Sequence, residues 1–384
     1  MDFDLTKEQQ LLSDAVQRFV GKEYSFAARE AILDSKEGWS REIWAKLAEL
    51  GLLGLQVPEE HGGMGGAMVE TMLTMNALGR GLLLEPYLPS AILATALIRE
   101  LGSPAQKEEL LPALAAGERI AVPAHGEPGA RDDLARVATT AARAGDGYAL
   151  NGRKTVIVHA PAADALLVSA RTSRKADDPR GISLFIVPRS ASGLSLQSYR
   201  TLDGQRASDV SLRDVRIPAG GLLGPEGGAF EAISAAWDLG VAAICAEAAG
   251  ALQALLDSTV EYAKTRKQFG VPIGKFQALQ HRMVEMLLHV EQVRSMSYLA
   301  AIRAIDGDPA ERRRALSAAK VVIGQACRKV AQEAVQIHGG MGMTDELHVG
   351  HYFKRLTTIE LSLGDTEHHL ERFVRETAAR KEIA

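Results

Sequence analysis

The spacing of apolar residues changes twice along the 384-residue chain, and this change limits the possible folds more than any other sequence feature. Apolar residues recur every three or four positions from about residue 5 to residue 118, which predicts helices. Short apolar runs bounded by Gly, Pro, Asn and Asp follow from 119 to about 223 and predict strands, with turns at Asp146-Gly147 and Asn151-Gly152. Helical spacing then returns from Phe230 onward.

Two apolar stripes in the C-terminal region step alternately by three and four residues. One runs through residues 233–255 and the other through 279–293. This spacing is typical of helices in an antiparallel bundle. We therefore predict an α+β multidomain fold with an N-terminal helical domain at 1–118, a central antiparallel β-barrel or sandwich at 119–225, and a C-terminal four-helix bundle at 226–384.

Charge and cysteine content narrow the classes of function. The 44 basic and 48 acidic side chains give a net charge of −4, so nucleic acid is not an expected ligand. Residues 1–5 show no basic start before an apolar run, and no window is expected to reach membrane-span length. We therefore expect no membrane insertion and a cytoplasmic location. Cys245 and Cys327 lie among alanines and are interpreted as buried apolar side chains.

The chain holds 36 glycines, and only 5% of its residues are aromatic, which favours helices packed closely through small residues. None of the ten histidines follows a glutamate by three positions, so the di-metal carboxylate motif is absent and no metal site is predicted. Five histidines cluster between His338 and His369, with His348 and His351 on one helix face. We interpret these five as surface or subunit-contact residues.

Two glycine-centred segments end helices in the C-terminal region. The first carries Arg266, Gln268 and Phe269 before Gly270, and the second is Gln336-Ile337-His338-Gly339-Gly340. An arginine fork suits phosphate oxygens, and glycines let the backbone approach a ligand. Taken alone, each segment also fits a helix C-cap whose basic side chains complement the helix dipole.

Four separated motifs, in order, resemble those of the acyl-CoA dehydrogenase family across essentially the whole chain. They are the Leu-Gly-Leu-Leu-Gly-Leu-x-Val-Pro-Glu-Glu-x-Gly-Gly loop at 50–63, Glu127-Pro128-Gly129 with Asn151-Gly152-Arg153-Lys154, Arg266-Lys267-Gln268-Phe269-Gly270, and Gln336-x-x-Gly339-Gly340-x-Gly342. The resemblance implies a tetrameric flavoprotein that binds FAD and acyl-CoA thioesters. It further implies oxidation of the Cα–Cβ bond and electron transfer to an electron-transfer flavoprotein.

The resemblance also implies which residues contact FAD. Those that would reach a neighbouring subunit's cofactor are Arg266, Gln268, Phe269, Gln336, Gly339 and Gly340, with Thr366 beside the base position. In the β domain, Val156 stands where the family has the tryptophan that stacks on the flavin ring, and Val158 stands where it has threonine. The ring half of the site is therefore expected to be weakened, while the other half is retained.

The family's reaction uses a glutamate that removes the α-proton while hydride leaves for the flavin. The two family positions for this base fall on Gly364 and on Gly240. Because a general base contributes about 100- to 10,000-fold, we do not expect a complete enzyme. Asp365 and Glu247 are the weak candidates for a displaced base, with Asp238 behind them.

Within the family, the ending from Gly364 to Leu370 and the opening from Met1 to Leu5 resemble the small subunits of bacterial pimeloyl-CoA dehydrogenase. They also resemble the base-lacking subunits of heterotetrameric acyl-CoA dehydrogenases of steroid degradation. The leading hypothesis is a subunit whose base and flavin-ring contacts come from a catalytic large subunit in a tetramer. Two alternatives stay open: a self-sufficient homotetrameric enzyme that uses Asp365 or Glu247, and a non-redox structural subunit that binds CoA thioesters.

Overall fold

The computed structural model describes residues 5–65, 68–173, 175 and 177–383. The chain divides into two compact units. The first consists of Met1–Glu30, Met68–Leu83 and Val241–Ala384, and it is helical apart from one short hairpin. The second consists of Ala31–Ala67 and Leu84–Gly240, and it contains the main sheet.

The order of elements is helical, then β, then helical again, as the apolar spacing predicts. Six helices come first: α1 (Lys7–Glu23), α2 (Phe26–Asp34), α3 (Arg41–Glu49), α4 (Met68–Gly81), α5 (Thr95–Leu101) and α6 (Pro104–Ala115). Eight strands follow: β1 (Ala121–Ala124), β2 (Thr140–Ala144), β3 (Gly147–Val158), β4 (Ala165–Arg171), β5 (Ile182–Pro188), β6 (Leu194–Arg200), β7 (Arg206–Pro218) and β8 (Leu222–Leu223). The C-terminal part holds α7 (Phe230–Thr265), the hairpin β9 (Lys267–Gln268) and β10 (Val271–Pro272), α8 (Gln277–Arg303), α9 (Pro309–His338), α10 (His348–Leu361) and α11 (Thr366–Ile383).

Local sequence sets where several helices begin. The Thr6 hydroxyl accepts a hydrogen bond from the Gln9 amide at 3.2 Å, and the Gln9 side chain accepts one from the Thr6 amide at 3.0 Å. Ser103 and Gln106 make the same reciprocal pair at the start of α6. The Asp308 carboxylate caps α9. Each cap satisfies amide groups that have no partner within the helix.

The β region is one mixed sheet with the order β6-β7-β3-β2-β4-β5-β8, and β1 pairs with β4 outside this path. Strand β1 runs parallel to β4, and β2 also meets β4 in parallel. The path does not close, so the prediction of an antiparallel barrel or sandwich was wrong. Parallel partners are joined by long crossover connections, and turn signals in a sequence report only neighbouring antiparallel strands.

The predicted turn at Asn151-Gly152 was also wrong. Strand β3 runs through both residues, and its register with β7 shifts between Leu150 and Gly152. A Cβ atom at Gly152 would lie 2.4 Å from the Thr139 hydroxyl oxygen. The glycine therefore allows a close approach within the sheet rather than a change of direction.

Small residues let α4 and α7 pack closely in the helical unit. A Cβ atom at Gly79 would lie 2.2 Å from the Glu247 carbonyl oxygen, and one at Gly250 would lie 1.8 Å from the Asn76 carbonyl oxygen. The high glycine and alanine content therefore has the packing role that the composition indicates. The four-helix bundle within the C-terminal region stays a prediction.

Helix α7 corrects the expectation that no window is long enough for a membrane span. Its 36 residues make it the one helix of the described chain that is long and apolar enough to cross a membrane by length and composition. However, 89% of its most apolar window is buried inside the protein. Packing in the protein core accounts for such an apolar helix.

Candidate functional site

Strand β3 carries a bulge at Val156, the residue predicted to face the flavin ring. Lys154 pairs with Val210 on β7, but the next pair is Ile157 with Ser208, so β3 has one extra residue. Val156 has φ of +53° and its surface is 56% exposed. A β-branched residue rarely adopts this backbone conformation. Val158 is half-buried at the end of the same strand.

The Asp209 carboxylate on β7 binds four donors around this bulge. Its Oδ1 accepts from the Thr155 hydroxyl at 2.8 Å, the Tyr199 hydroxyl at 3.1 Å and the Val156 amide at 3.3 Å. Its Oδ2 accepts from Arg153 Nη2 at 2.5 Å. The Thr155 hydroxyl, followed by Arg153, lowers the pKa of Asp209 to about 2. Asp209 is therefore ionised at neutral pH.

A buried ion pair joins two of the motifs in the β region. Lys154 Nζ lies 2.6 Å from Glu127 Oε1 and also donates to the Ser169 hydroxyl at 2.9 Å. Burial lowers the pKa of Lys154 to about 8. For Glu127, burial acts in the opposite direction, but Lys154 outweighs it and the pKa lies below its usual value. Both groups are charged, and they tie the Glu127 loop to β3.

The first C-terminal motif forms the β9–β10 hairpin. Phe269 and Gly270 occupy its turn, with φ of +53° and +81°. Two residues with positive φ are typical of a tight two-residue hairpin turn. Phe269 is 91% exposed, and Arg266 and Gln268 are exposed beside it. The hairpin thus presents an aromatic ring, an amide and a guanidinium from one short segment.

The second C-terminal motif ends α9 and leaves its backbone accessible. Gly339 has φ of +62°, and a Cβ atom on either Gly339 or Gly340 would meet nothing within 4 Å. Gln336 is exposed one turn earlier. The buried His338 ring bonds to the Ala334 carbonyl at 2.8 Å and so stabilises the last turn of the helix.

The turn between α10 and α11 contains Gly364, the first predicted base position. Leu363 and Gly364 have φ of +56° and +96°. A Cβ atom at Gly364 would lie 2.6 Å from His368 Cδ2 and 2.7 Å from His369 Nε2. No side chain can stand at this position unless the neighbouring rings move and the backbone accepts strain.

Two buried side chains hold this turn. Lys320 Nζ donates to the Gly364 carbonyl at 2.7 Å and to the Glu360 carbonyl at 2.9 Å. His369 Nε2 lies 2.9 Å from the Leu363 carbonyl, so this nitrogen carries the proton and donates. Burial lowers the pKa of His369 to about 3, and the ring is neutral at pH 7.

The carboxylates considered as displaced bases already have partners. Asp365 Oδ1 accepts from the His368 amide at 2.8 Å, which caps the start of α11. Glu247 is buried and accepts from Arg355 Nε at 2.6 Å and Nη2 at 2.7 Å. Asp238 and Gly240 are buried in α7. Thr366, next to Asp365, donates its hydroxyl to Glu360 at 2.9 Å.

Three family models cover most of the chain. "Acyl-CoA dehydrogenase, N-terminal domain" matches residues 6–118, the middle domain matches 124–215 and the C-terminal domain matches 228–377. This chain belongs to the acyl-CoA dehydrogenase family. It is therefore an oxidoreductase of a family of FAD-dependent flavoproteins.

Whole-chain comparisons agree with this assignment. The probable acyl-CoA dehydrogenase YngJ of Bacillus subtilis is 33% identical over 372 residues, which cover 96% of this chain and 97% of that protein. Butyryl-CoA dehydrogenase from Megasphaera elsdenii superposes with a TM-score of 0.90 at 29% identity, covering 98% and 100% of the two chains. A chain of the ChsE4-ChsE5 complex from Mycobacterium tuberculosis gives 0.87 at 29% identity, covering 98% and 99%.

The residues of each unit fit one part of an FAD molecule. A flavin ring needs apolar surface, and in the sheet-containing unit Val156 offers an exposed apolar side chain. A pyrophosphate needs donors and an unobstructed backbone, which the exposed Arg266 and the open Gly339-Gly340 segment provide. Each unit would thus hold one part of an FAD molecule, and the resemblance assigns the helical unit's residues to a neighbouring subunit's FAD. Val156 offers less ring surface than the tryptophan expected from the resemblance.

The histidines of the C-terminal region were partly misinterpreted from sequence. His338, His351 and His369 are buried rather than on the surface. Each bonds to a backbone carbonyl near a helix end, so the rings fix local backbone instead of meeting solvent. Within the described ranges, no group of three or more His, Cys, Asp and Glu side chains could hold a metal ion.

The two cysteines are buried free thiols, as predicted. Burial raises the pKa of Cys245 to about 12 and also raises the pKa of Cys327. Both therefore stay protonated at neutral pH, and a thiol in that form is a poor nucleophile.

Sequence reasoning missed Asp209, Lys320 and His369 as determinants of the site. Asp209 follows Ser208 in a strand of mixed polarity, and nothing in that pattern separates it from an ordinary exposed residue. Lys320 lies in an alanine-rich stretch of α9, where a charged residue is unusual. The available signal is a lysine among small apolar residues on a core helix. Because a buried lysine needs partners, this pattern indicates that Lys320 binds polar groups inside the protein.

Proposed function

We propose that this chain is the base-lacking subunit of an FAD-dependent acyl-CoA dehydrogenase and works with a catalytic large subunit. The observation that carries the proposal is the geometry at Gly364. Its φ of +96° and the distances of 2.6 and 2.7 Å to the His368 and His369 rings leave no place for a carboxylate side chain. The second family position, Gly240, is buried in α7 and also has no side chain.

Dehydrogenation of an acyl-CoA removes a proton from Cα and a hydride from Cβ. FAD supplies the hydride acceptor when it is bound. The proton must go to a base within hydrogen-bond reach of Cα. In this chain Asp365 caps a helix and Glu247 is held by Arg355, so neither is free to approach a substrate without breaking those bonds.

The proposed contribution of this chain is therefore to binding and orientation. The retained positions are the ones that the resemblance assigns to a neighbouring subunit's FAD: Arg266, Gln268, Phe269, Gln336, Gly339, Gly340 and Thr366. Solvent exposure of the hairpin and of the Gly339-Gly340 backbone supports this role. The large subunit would supply the base and the main flavin-ring contacts.

Several further parts of the proposal follow from the family. We infer a heterotetramer with a large subunit of the same family, acyl-CoA as substrate and an electron-transfer flavoprotein as electron acceptor. The similarity to a chain of the ChsE4-ChsE5 complex supports an assembly of two different chains. The domain limits at 118 and 225, the four-helix bundle, the pimeloyl-CoA small-subunit likeness and a cytoplasmic location belong to this proposal as well.

The experiment compares the chain alone with the chain co-expressed with a large subunit. Dye reduction with an acyl-CoA is expected to be at least about 100-fold slower for the lone chain, as the loss of a general base requires. The Asp365→Asn and Glu247→Gln variants are assayed in parallel. Full turnover by the lone chain, abolished by either substitution, would instead identify that carboxylate as a displaced base.

A further inference from the structure

We propose that Asp209 is a positioning residue that holds the Val156 bulge in the shape presented to the flavin. This role rests on the family's FAD dependence and on the assignment of Val156 to the flavin face. It does not depend on whether the chain lacks a base. Asp209 touches neither cofactor nor substrate in this role and acts only through the backbone of β3.

The first reason is the conformation of Val156. A β-branched residue at φ of +53° is strained, and one that is 56% exposed recovers little of that cost by burial. Strain of this kind persists only where surrounding bonds determine the backbone, and it concentrates at ligand contacts. The bulge therefore needs a group that holds it.

The second reason is that Asp209 binds β3 at three residues around the bulge. It accepts from the Arg153 guanidinium, the Thr155 hydroxyl and the Val156 amide. The Thr155 amide is bonded in turn to the Gly126 carbonyl at 2.8 Å. The side chain and the amide of Thr155 are thus fixed from two directions, and the bulge has little freedom to relax into regular strand.

The third reason is that the network is poorly placed to stabilise the fold as a whole. A polar pocket of about 420 Å³, lined in part by Arg153, Asp209 and Ser211, opens beside it. The Arg153 side chain is 56% exposed and that of Asp209 19%. An ion pair whose guanidinium is exposed to water contributes only modestly to stability. The main effect of Asp209 is therefore to fix the backbone of β3 through its hydrogen bonds to Val156 and Thr155, rather than to stabilise the whole fold.

The test uses Asp209→Ala, which removes all four acceptor contacts, and Asp209→Asn, which keeps the shape but loses the charge that Arg153 binds. Asp214→Asn is the matched control, because Asp214 is another carboxylate of β7 and binds Arg216 at 2.9 Å on the solvent side. Two quantities are measured: hydrogen exchange of the 153–158 segment by mass spectrometry, and the dissociation constant of FAD added to the apoprotein.

We expect Asp209→Ala to increase exchange in the 153–158 segment and to weaken FAD binding by about tenfold, because the strained bulge must be re-formed on binding. Asp209→Asn should lie between this variant and wild type, and Asp214→Asn should match wild type. The exchange measurement needs no bound flavin, so unchanged exchange contradicts the role even in a chain that releases FAD. Unchanged exchange, or increased exchange with unchanged FAD affinity, would overturn the role.

A double-mutant cycle separates positioning from a direct effect of charge. Glycine adopts positive φ without strain, so Val156→Gly removes the need for an anchor. In the Val156→Gly background, Asp209→Ala should weaken FAD binding by only about two- to threefold. An equal effect in both backgrounds would contradict positioning. Turnover by the lone chain would overturn the base-lacking function but leave these outcomes unchanged.

Discussion

The Val156 bulge and the Leu363-Gly364 turn make an instructive comparison. Each carries a position where the resemblance places an important side chain, and each contains residues with positive φ. The bulge is exposed and bound by the half-buried Asp209 carboxylate, whereas the turn is enclosed by His368 and His369 and bound by the fully buried Lys320. The bulge therefore has room for a larger side chain at Val156, whereas neighbouring rings occupy the space that a side chain at Gly364 would need.

Gly364→Glu should have the largest effect. Positive φ for a residue other than glycine and the overpacking against two rings together cost about 4 kcal/mol. Gly307→Glu is the control, because a Cβ atom there would meet nothing within 4 Å. Denaturant unfolding of the two variants measures the difference. Equal stability of the two variants would mean that the turn at Gly364 has room for a side chain and is no more closed than the bulge.

Lys320→Met should come next, with a loss of about 3 kcal/mol, because the Gly364 and Glu360 carbonyls lose a buried donor. Lys264→Met, at an exposed site with a surface partner in Glu261, should change stability by less than about 0.5 kcal/mol. The free energy of unfolding in urea checks both. A loss for Lys320→Met as small as the control's would show that the turn does not need its anchor.

Acid should weaken the turn through His369. In the unfolded chain a histidine titrates near pH 6.5, but burial lowers the pKa of His369 to about 3, so between these values only the unfolded state gains a proton. Unfolding free energy therefore falls as pH decreases from 6.5 towards 3, by about 2 kcal/mol at pH 5. Between pH 7 and pH 5, the unfolding free energy of His369→Gln should fall by about 2 kcal/mol less than that of wild type. Parallel pH curves for the two proteins would argue against a neutral buried ring.

Val156→Trp should have the smallest effect on stability, below about 1 kcal/mol, because the side chain extends into open surface. The larger ring should also increase the amount of FAD that stays bound through gel filtration. Val156→Ala is the matched control, since it leaves the bulge without added ring surface. A large destabilisation by tryptophan would mean that the bulge is as closed as the turn at Gly364.

The order of helical and β regions could be predicted because it depends on spacing between close neighbours in sequence, as in Leu12, Val16 and Phe19 of α1. The mixed sheet could not, because the parallel pairing of β1 with β4 joins segments more distant in the chain. The anchors were missed for the same reason. Asp209 lies 54 residues from Thr155, and Lys320 lies 44 residues from Gly364. A sequence pattern identifies Gly364 as unusual but does not reveal what surrounds it.

The two rings beside Gly364 affect how such a subunit can change over many generations. A glutamate at this position needs room that His368 and His369 occupy, and His369 in turn holds the Leu363 carbonyl. Under the proposed function, each single substitution on the way back to a base costs stability before it gives any activity. Once such a subunit depends on a partner for the base, single substitutions rarely restore its own activity, and the dependence tends to persist in evolution.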